Sequence, residues 1–254
     1  MMKPFEDILL KFEAVNLSEL EKVSLLDRLD TKYVFTRQQL PDFLNLLPTH
    51  YKILEISSKR MFQYESLYFD TSDFELYNHH YCGRLNRYKV RFRKYVESNL
   101  NYFEIKFKNN KGRTIKSRIQ HHPGEGIQGK ALELLNQNTP IQATGLEAKL
   151  WVNYTRITMV SMDFKERLTL DLDLMFKSGN ESRSLDALVI AEVKQGKTGQ
   201  SVFARLMKSH HIRKGSISKY CFGVASMFNN VRINNFKSQL LYLNRILYAS
   251  PAGH

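Results

Sequence analysis

Cations at alternate positions, with a few carboxylates among them, are the residues of this chain that could do chemistry. Lys89, Arg91 and Arg93 alternate with Val90 and Phe92. Glu104, Lys106 and Lys108 alternate with Phe103, Ile105 and Phe107, and Thr114, Lys116 and Arg118 follow after an Asn-Lys-Gly turn. Arg167, Thr169, Asp171 and Asp173 stand against Leu168, Leu170, Leu172 and Leu174, and Glu192 and Lys194 against Ala191 and Val193. In an extended chain, period two puts each such set on one face. Cations two residues apart are then about 7 Å apart, comparable to the reach of neighbouring phosphates. Arginine offers phosphate a planar fork and lysine a movable point charge.

Strands of this kind must be positioned by a sheet. One arrangement keeps the apolar face on a core and the charged face in water, as in many antiparallel sheets. The other rolls the sheet into a barrel, with charges inside and the apolar face outward under helices. A dry lumen of like charges would be ruinous, whereas a wet one could hold a phosphate chain. The dominance of Arg and Lys on these faces favours the barrel, as do several amphipathic helices in need of a partner. Helices are expected around residues 3 to 15, with Phe5, Ile8, Leu9 and Phe12 on one face, and from Thr36 as N-cap toward Leu47. Further helices are expected at 128 to 138, 200 to 210, Ile217 to Phe228 and Phe236 to Leu247. Loops fall at Asn109–Gly112, His122–Gly126 and Lys177–Asn180.

The chain has 254 residues, 38 Lys+Arg against 25 Asp+Glu, and a net charge of +13, which calls for a polyanionic partner. With 43% apolar residues it is no disordered polymer, and it has no stretch suited to a membrane-spanning helix or a secretory signal. Cys82 and Cys221 are too few for a disulfide scaffold and read as small buried hydrophobes in a cytoplasmic protein. No repeat or linker divides the chain, so residues 1–254 are expected to form one domain.

Leu67-Tyr68-Phe69-Asp70-Thr71, Tyr77-Asn78-His79-His80 and Arg87 through Tyr95 resemble, in order, the VTC domain. That domain belongs to the CYTH-like triphosphate tunnel metalloenzyme superfamily. The resemblance continues through Phe103-Glu104-Ile105-Lys106, Lys116-Ser117-Arg118, Tyr154-Thr155-Arg156, Arg167 to Asp171, Ala191 to Lys194 and Ile217 to Tyr220. It implies an α+β fold: an antiparallel β-barrel, or tunnel, with a charged lumen, flanked by helices outside and at both termini. The activity implied is ATP-dependent polymerisation of inorganic polyphosphate, the terminal phosphoryl group passing to a chain in the tunnel. Carried over by position, Lys32, Arg91, Arg93, Lys106, Arg156, Arg167 and Lys219 are the expected catalytic cations and phosphate ligands. Lys108, Lys116 and Arg118 join them as phosphate ligands, and Glu192 with Glu104 would hold Mg²⁺ or Mn²⁺. The expected partners are ATP and inorganic polyphosphate or triphosphate, with no nucleic acid. Family assemblies join the domain to a membrane segment; this chain is expected to act alone or to serve a separate membrane partner.

Two departures qualify the resemblance. Hydrolytic relatives begin with a Glu-x-Glu-x-Lys strand, where this chain has Arg28-Leu29-Asp30-Thr31-Lys32. The exchange of a carboxylate for arginine favours phosphate over metal binding, and a polymerase over a triphosphatase. Ser216 stands where polymerase members carry a lysine, with Arg213 and Lys214 nearby as substitutes. Hydrolysis of triphosphate or nucleoside triphosphates, or binding without turnover, are the alternative activities. His79-His80 and His121-His122 are adjacent pairs that would point apart in a strand or loop, so no zinc site is expected. Gly196-Lys197-Thr198-Gly199 lacks the upstream glycine of a phosphate-binding loop, with Ala191 in its place. Trp151, Tyr154 and Phe164 read as core. Like charges crowded in an empty lumen repel, so Arg91→Ala and Arg93→Ala are expected to leave the fold intact or stabilise it.

Overall fold

Strands form wherever apolar and charged residues alternate, in a computed structural model that describes residues 5–21, 28–196, 200–215 and 218–248. The elements run α1 (Glu6–Leu10), β1 (Ala14–Val15), α2 (Leu17–Glu21), β2 (Arg28–Thr36), α3 (Leu40–Asn45), β3 (Tyr51–Leu54), β4 (Phe62–Asp70) and α4 (Glu75–Tyr81). They continue with β5 (Arg87–Tyr95), β6 (Leu100–Lys108), β7 (Thr114–Gln120), α5 (Gly129–Asn138), β8 (Glu147–Ser161), β9 (Glu166–Ser178), β10 (Glu181–Leu185) and β11 (Leu188–Gly196). The last described helices are α6 (Val202–Ser209), α7 (Lys219–Met227) and α8 (Lys237–Tyr248).

The main sheet runs β2-β11-β9-β8-β4-β5-β6-β7, antiparallel throughout. β10 pairs with β9, and β3 pairs with β8 and, in parallel, with β1. Neighbouring strands lie about 4.8 Å apart, so in a flat sheet β2 and β5 would be separated by roughly 24 Å. Yet the side chains of Lys32 on β2 and Lys89 on β5 feel each other's charge, as do Lys32 and Tyr68 on β4. The sheet is therefore curled on itself. No ladder joins β7 to β2 among the described residues, so the expected barrel is a tunnel with a seam.

The outer face is apolar and covered. Phe43 and Leu44 of α3, Leu9 of α1, and Phe203 and Met207 of α6 pack on Phe35, Leu170, Leu172 and Ala191. Ala131 and Leu135 of α5 pack on Val90, Phe92, Phe103 and Ile105. The inner face is charged along much of its length but apolar where α7 enters: Tyr220, Phe222 and Val224 pack on Leu150, Val152, Leu174 and Phe176. Gly223 makes that approach possible, because a Cβ there would lie 2.5 Å from Leu150 Cδ2 and 2.7 Å from Phe176 Cδ1. Buried Asp70 ties this end together, accepting backbone N–H bonds from Thr71, Leu76 and Tyr77 and a bond from the Tyr220 hydroxyl.

Several expectations are modified. The N-terminal helix stops at Leu10, because Glu13 and Val15 give their carbonyls to Ile53 and Glu55 instead. Thr36 caps as expected, its N–H bonded to Gln39 Oε1 at 3.1 Å, but the first turn is 3₁₀ and the helix ends at Asn45. His79 and His80 lie on helix α4, not on a strand or loop. Cys82 is exposed rather than buried, just past the end of that helix, while Cys221 is buried. Trp151 and Phe164 are only half-buried. Residues 197–199, Ser216 and Ile217 lie outside the described residues. No described helix is long and apolar enough to cross a membrane.

Candidate anion-binding tunnel

Arg91 anchors one ion-paired group on the inner face. Its Nε donates to Glu104 Oε2 at 2.8 Å and its Nη1 to the Tyr68 hydroxyl at 2.7 Å. Lys116, on the next strand, pairs with the other oxygen of Glu104. Glu104 is wholly buried. Burial alone would raise its pKa, but Arg91, Arg93 and Lys116 outweigh it and hold the carboxyl well below the usual range. Arg93 is held by hydroxyls instead: it donates to Ser66 Oγ at 3.2 Å and to Tyr154 Oη at 3.0 Å.

Asp171 anchors a second group. Arg156 grips it with both arms, at 2.6 and 2.9 Å, and Lys219 from α7 binds the same carboxylate. Burial pushes Asp171 upward, and Arg156 and Lys219 more than reverse it. Both cations lie over the Tyr154 ring, at 5.2 and 4.7 Å from its centre. Asp173 does not share this face. A bulge opposite Tyr154, with Asp173 at φ 52°, turns its side chain to an ion pair with Arg37.

Between these groups cations face cations, although Lys116 is also ion-paired with Glu104. Register places Lys89 opposite Lys106, and Lys106 opposite Lys116. Directly opposed residues share a face with Cβ atoms about 5 Å apart, and like charges there are destabilising. The electrostatics record it. Lys106 is pushed well below the ordinary lysine pKa by Arg91 and by burial. Burial depresses Lys89 and Lys116 as well, and burial with Lys219 brings Lys32 down to about 8.

The expected residues Lys32, Arg91, Arg93, Lys106, Lys116, Arg156 and Lys219 thus share one inner surface. Three others stand nearer the strand ends. Arg167, opposite Lys194, donates to the Leu20 carbonyl at 2.6 Å. Lys108 stands opposite Arg87, and Arg118 is exposed over the Tyr102 ring at 4.9 Å. Arg213 and Lys214 are exposed, in a segment whose Gly215 N–H bonds to the Lys32 carbonyl at 2.8 Å. Sequence reasoning missed Lys89, Tyr68 and Tyr154 as members of the site. Lys89 was already on the charged alternation; the tyrosines carry no such signal, because only the fold shows their hydroxyls meeting the arginines.

No three acidic, histidine or cysteine side chains cluster among the described residues. Glu104 is occupied by Arg91 and Lys116. Glu192 pairs with Lys194 and stands opposite Lys32, while Asp30, two residues along that neighbouring strand, stands opposite Lys194. A hard cation here would have to displace Lys194 from Glu192 and complete its shell from water and phosphate oxygens.

The VTC domain model matches residues 27–228. Among curated proteins none matches the chain. A "putative adenylate cyclase" from Bacillus halodurans has a similar structure, at 14% identity and TM-score 0.53, covering 80% of this chain and 98% of that one. A "putative adenylyl cyclase" from Hippeastrum, described as having a dominant triphosphatase activity, is 13% identical with TM-score 0.49, covering 78% and 96%. The PH1819 protein from Pyrococcus horikoshii is 13% identical with TM-score 0.46, covering 79% and 99%. The matched span takes in every strand of the cation-lined tunnel and helix α7 at its end, and the chain belongs to the VTC domain family.

Proposed function

We propose that the tunnel binds ATP and inorganic polyphosphate or triphosphate and acts as an ATP-dependent polyphosphate polymerase. The observation that carries this reading is the row of directly opposed lysines, Lys89, Lys106 and Lys116, beside Arg91 and Arg93. A surface that crowds cations at the cost of their own protonation is organised for a polyanion. Cations spaced along β5 and β6 match successive phosphates of a chain; the tyrosines among them, Tyr64, Tyr68 and Tyr154, have cations over their rings rather than faces open to stacking bases.

In the transfer, a terminal oxygen of the chain forms a bond to the γ-phosphorus of ATP as the bond to the β,γ-bridging oxygen breaks, and ADP leaves. Phosphoryl transfer asks mainly for in-line placement and for neutralised phosphoryl oxygens. Arg91 is held by Glu104 and Tyr68, and Arg156 by Asp171, so their forks are preorganised. Lys32, Lys106 and Lys219 supply movable charge. Mg²⁺ or Mn²⁺, held through Glu192 and Asp30, would add charge neutralisation on the phosphate oxygens.

Incubation with ATP, Mn²⁺ and a short polyphosphate primer tests this. The expected result is lengthened polyphosphate with one ADP formed per phosphoryl group transferred. Orthophosphate without lengthening would replace the polymerase by a triphosphate hydrolase in the same tunnel. Tight binding with no turnover, unchanged in Glu192→Gln, would make the protein a polyphosphate or nucleotide sensor.

A further inference from the structure

Residues 76–96 and residues 105–124 each carry six Lys and Arg side chains and no Asp or Glu. The tunnel uses Lys89, Arg91 and Arg93 of the first stretch and Lys106 and Lys116 of the second. Arg84, Lys111 and Arg113 have no part in it, and all three are exposed. They stand in line with it. Two residues beyond the opposed pair Lys89 and Lys106, and about 7 Å further along the same face, Arg87 stands opposite Lys108. Arg87 and Lys89 feel each other's charge. Exposure rises along the row. Arg91 is buried, Lys89, Arg87 and Lys108 are half-buried, and residues 82–86 and 110–113 beyond them are exposed.

The two loops at this end are held side by side. The Asn110 N–H donates to Asn86 Oδ1 at 3.0 Å, and Arg87 Nη1 donates to the Arg84 carbonyl at 2.8 Å. Asn109 Oδ1 accepts from the N–H groups of Lys111 and Arg113, at 3.0 and 2.9 Å, which shapes the tip of the β6–β7 hairpin. Arg84 Nη1 meets His79 Nε2 at 2.6 Å, and that ring pairs with Glu75, the one carboxylate these contacts bring to this end. Protein surfaces ordinarily mix charges of both signs, and cations gathered without carboxylates concentrate a polyanion. The aromatic rings here are engaged with each other, Tyr88 with Phe107 at 4.6 Å and Tyr81 with Phe236 at 5.5 Å. They offer no free platform for stacking bases.

We propose that Arg84, Lys111 and Arg113 form an outer track for polyphosphate, which holds the part of a chain that extends beyond the tunnel. The inference rests on the phosphate-chain reading of the tunnel. From Arg93 to Arg87 the inner row covers about 20 Å of β5, so a chain longer than that runs out over the two loops. Contacts on the track are made by a chain already held inside, at high effective concentration, so each adds to affinity. The protein thereby prefers long chains to short ones and keeps hold of a chain as it lengthens.

The test titrates wild type and an Arg84→Gln/Lys111→Gln/Arg113→Gln variant with tripolyphosphate, whose three phosphates fall short of the row, and with polyphosphate several times the row's length. The variant is expected to bind tripolyphosphate as wild type does, and long chains about tenfold more weakly at low salt. For long chains its slope of log Kd against log salt should be lower by about 2, from three phosphate contacts at roughly 0.7 each. A control, Lys59→Gln/Lys177→Gln/Lys208→Gln, removes as many exposed cations from elsewhere and should keep the long-chain affinity. Equal losses in both variants, or unchanged long-chain binding in the first, overturn the inference and leave the tunnel reading intact. A parallel loss of tripolyphosphate affinity also overturns it, by making the three cations part of the inner site. A loss confined to single-stranded RNA does so too, and gives the surface to a nucleic acid. If wild type binds neither tripolyphosphate nor long chains, both readings fall.

Discussion

Arg91 and Arg93 stand two residues apart on one face, yet they are held differently, and their removal should differ too. Arg91 is bonded to a carboxylate with no exposure to solvent, whereas Arg93 meets two hydroxyls and the Tyr64 ring. Stripping a buried ion pair of one partner costs about 3–5 kcal/mol. Lys116 remains on Glu104, so Arg91→Ala is expected to cost the free protein about 2–3 kcal/mol. Arg93→Met removes a cation from a crowd of cations and leaves two hydroxyls, and should be within about 1 kcal/mol of neutral, or stabilising. Urea denaturation without ligand measures both, and both variants should lose affinity for tripolyphosphate. Removal without harm is therefore predicted for Arg93 alone, where charge crowding by itself predicts it for both. Period two shows that both side chains face the lumen, but it says nothing of which carboxylate reaches which arginine. If the two variants unfold at the same urea concentration, the Arg91–Glu104–Lys116 group does not hold the free fold together.

At the scale of elements, α7 couples the fold to the site. Gly223 lets the helix press on Leu150 and Phe176, and the same helix carries Lys219 to Asp171 and Ser218 to Lys89. Gly223→Ala would bring a methyl group inside contact distance of both side chains, so the helix must shift. Overpacking of this kind costs about 1–3 kcal/mol. Tripolyphosphate affinity should fall with it, because Lys219 moves with the helix. Unchanged affinity in a destabilised Gly223→Ala protein would mean that α7 seals the tunnel without positioning its cations. This element was legible from the sequence, as were α5, α6 and α8 and the strands β5, β6, β7, β9 and β11, whose alternation is a direct imprint of a two-faced sheet. Other elements were not, and two features show why. Helix α4 is short, and its N-cap Phe74, at φ 60°, offers no cap of its own; Thr71 and Asp70, further back along the chain, accept from the N–H groups of Glu75, Leu76 and Tyr77 instead. The bulge at Asp173 also lacks a glycine to announce it, and it moves Asp173 and Leu174 off the faces that strict alternation assigns. Backbone irregularities of this kind are decided by tertiary packing, and a periodicity argument has no access to them.

For the whole molecule, the surplus of +13 becomes a stability term with a sign. Lys32 falls from 10.5 to about 8, and Lys89, Lys106 and Lys116 move the same way. A lysine whose folded pKa is depressed binds fewer protons in the native than in the unfolded state between those two values. Stability therefore rises with pH across that interval, and below it the native state bears the full repulsion. At about 1.4 kcal/mol per unit, Lys32 alone contributes at most about 3 kcal/mol. Cys221 and Tyr64, both raised by burial, act in the opposite direction at higher pH, so the useful window runs from about pH 7.5 to about pH 9. In that window the urea midpoint of the free protein should climb. Saturating tripolyphosphate should abolish the climb, because an anion in the tunnel keeps the lysines protonated in the native state. Binding itself should weaken as pH rises over the same range, since the lysines must then recover protons to bind. A free-protein midpoint that is flat or falling would place the lysines in ordinary water, and an open charged face would then replace the tunnel.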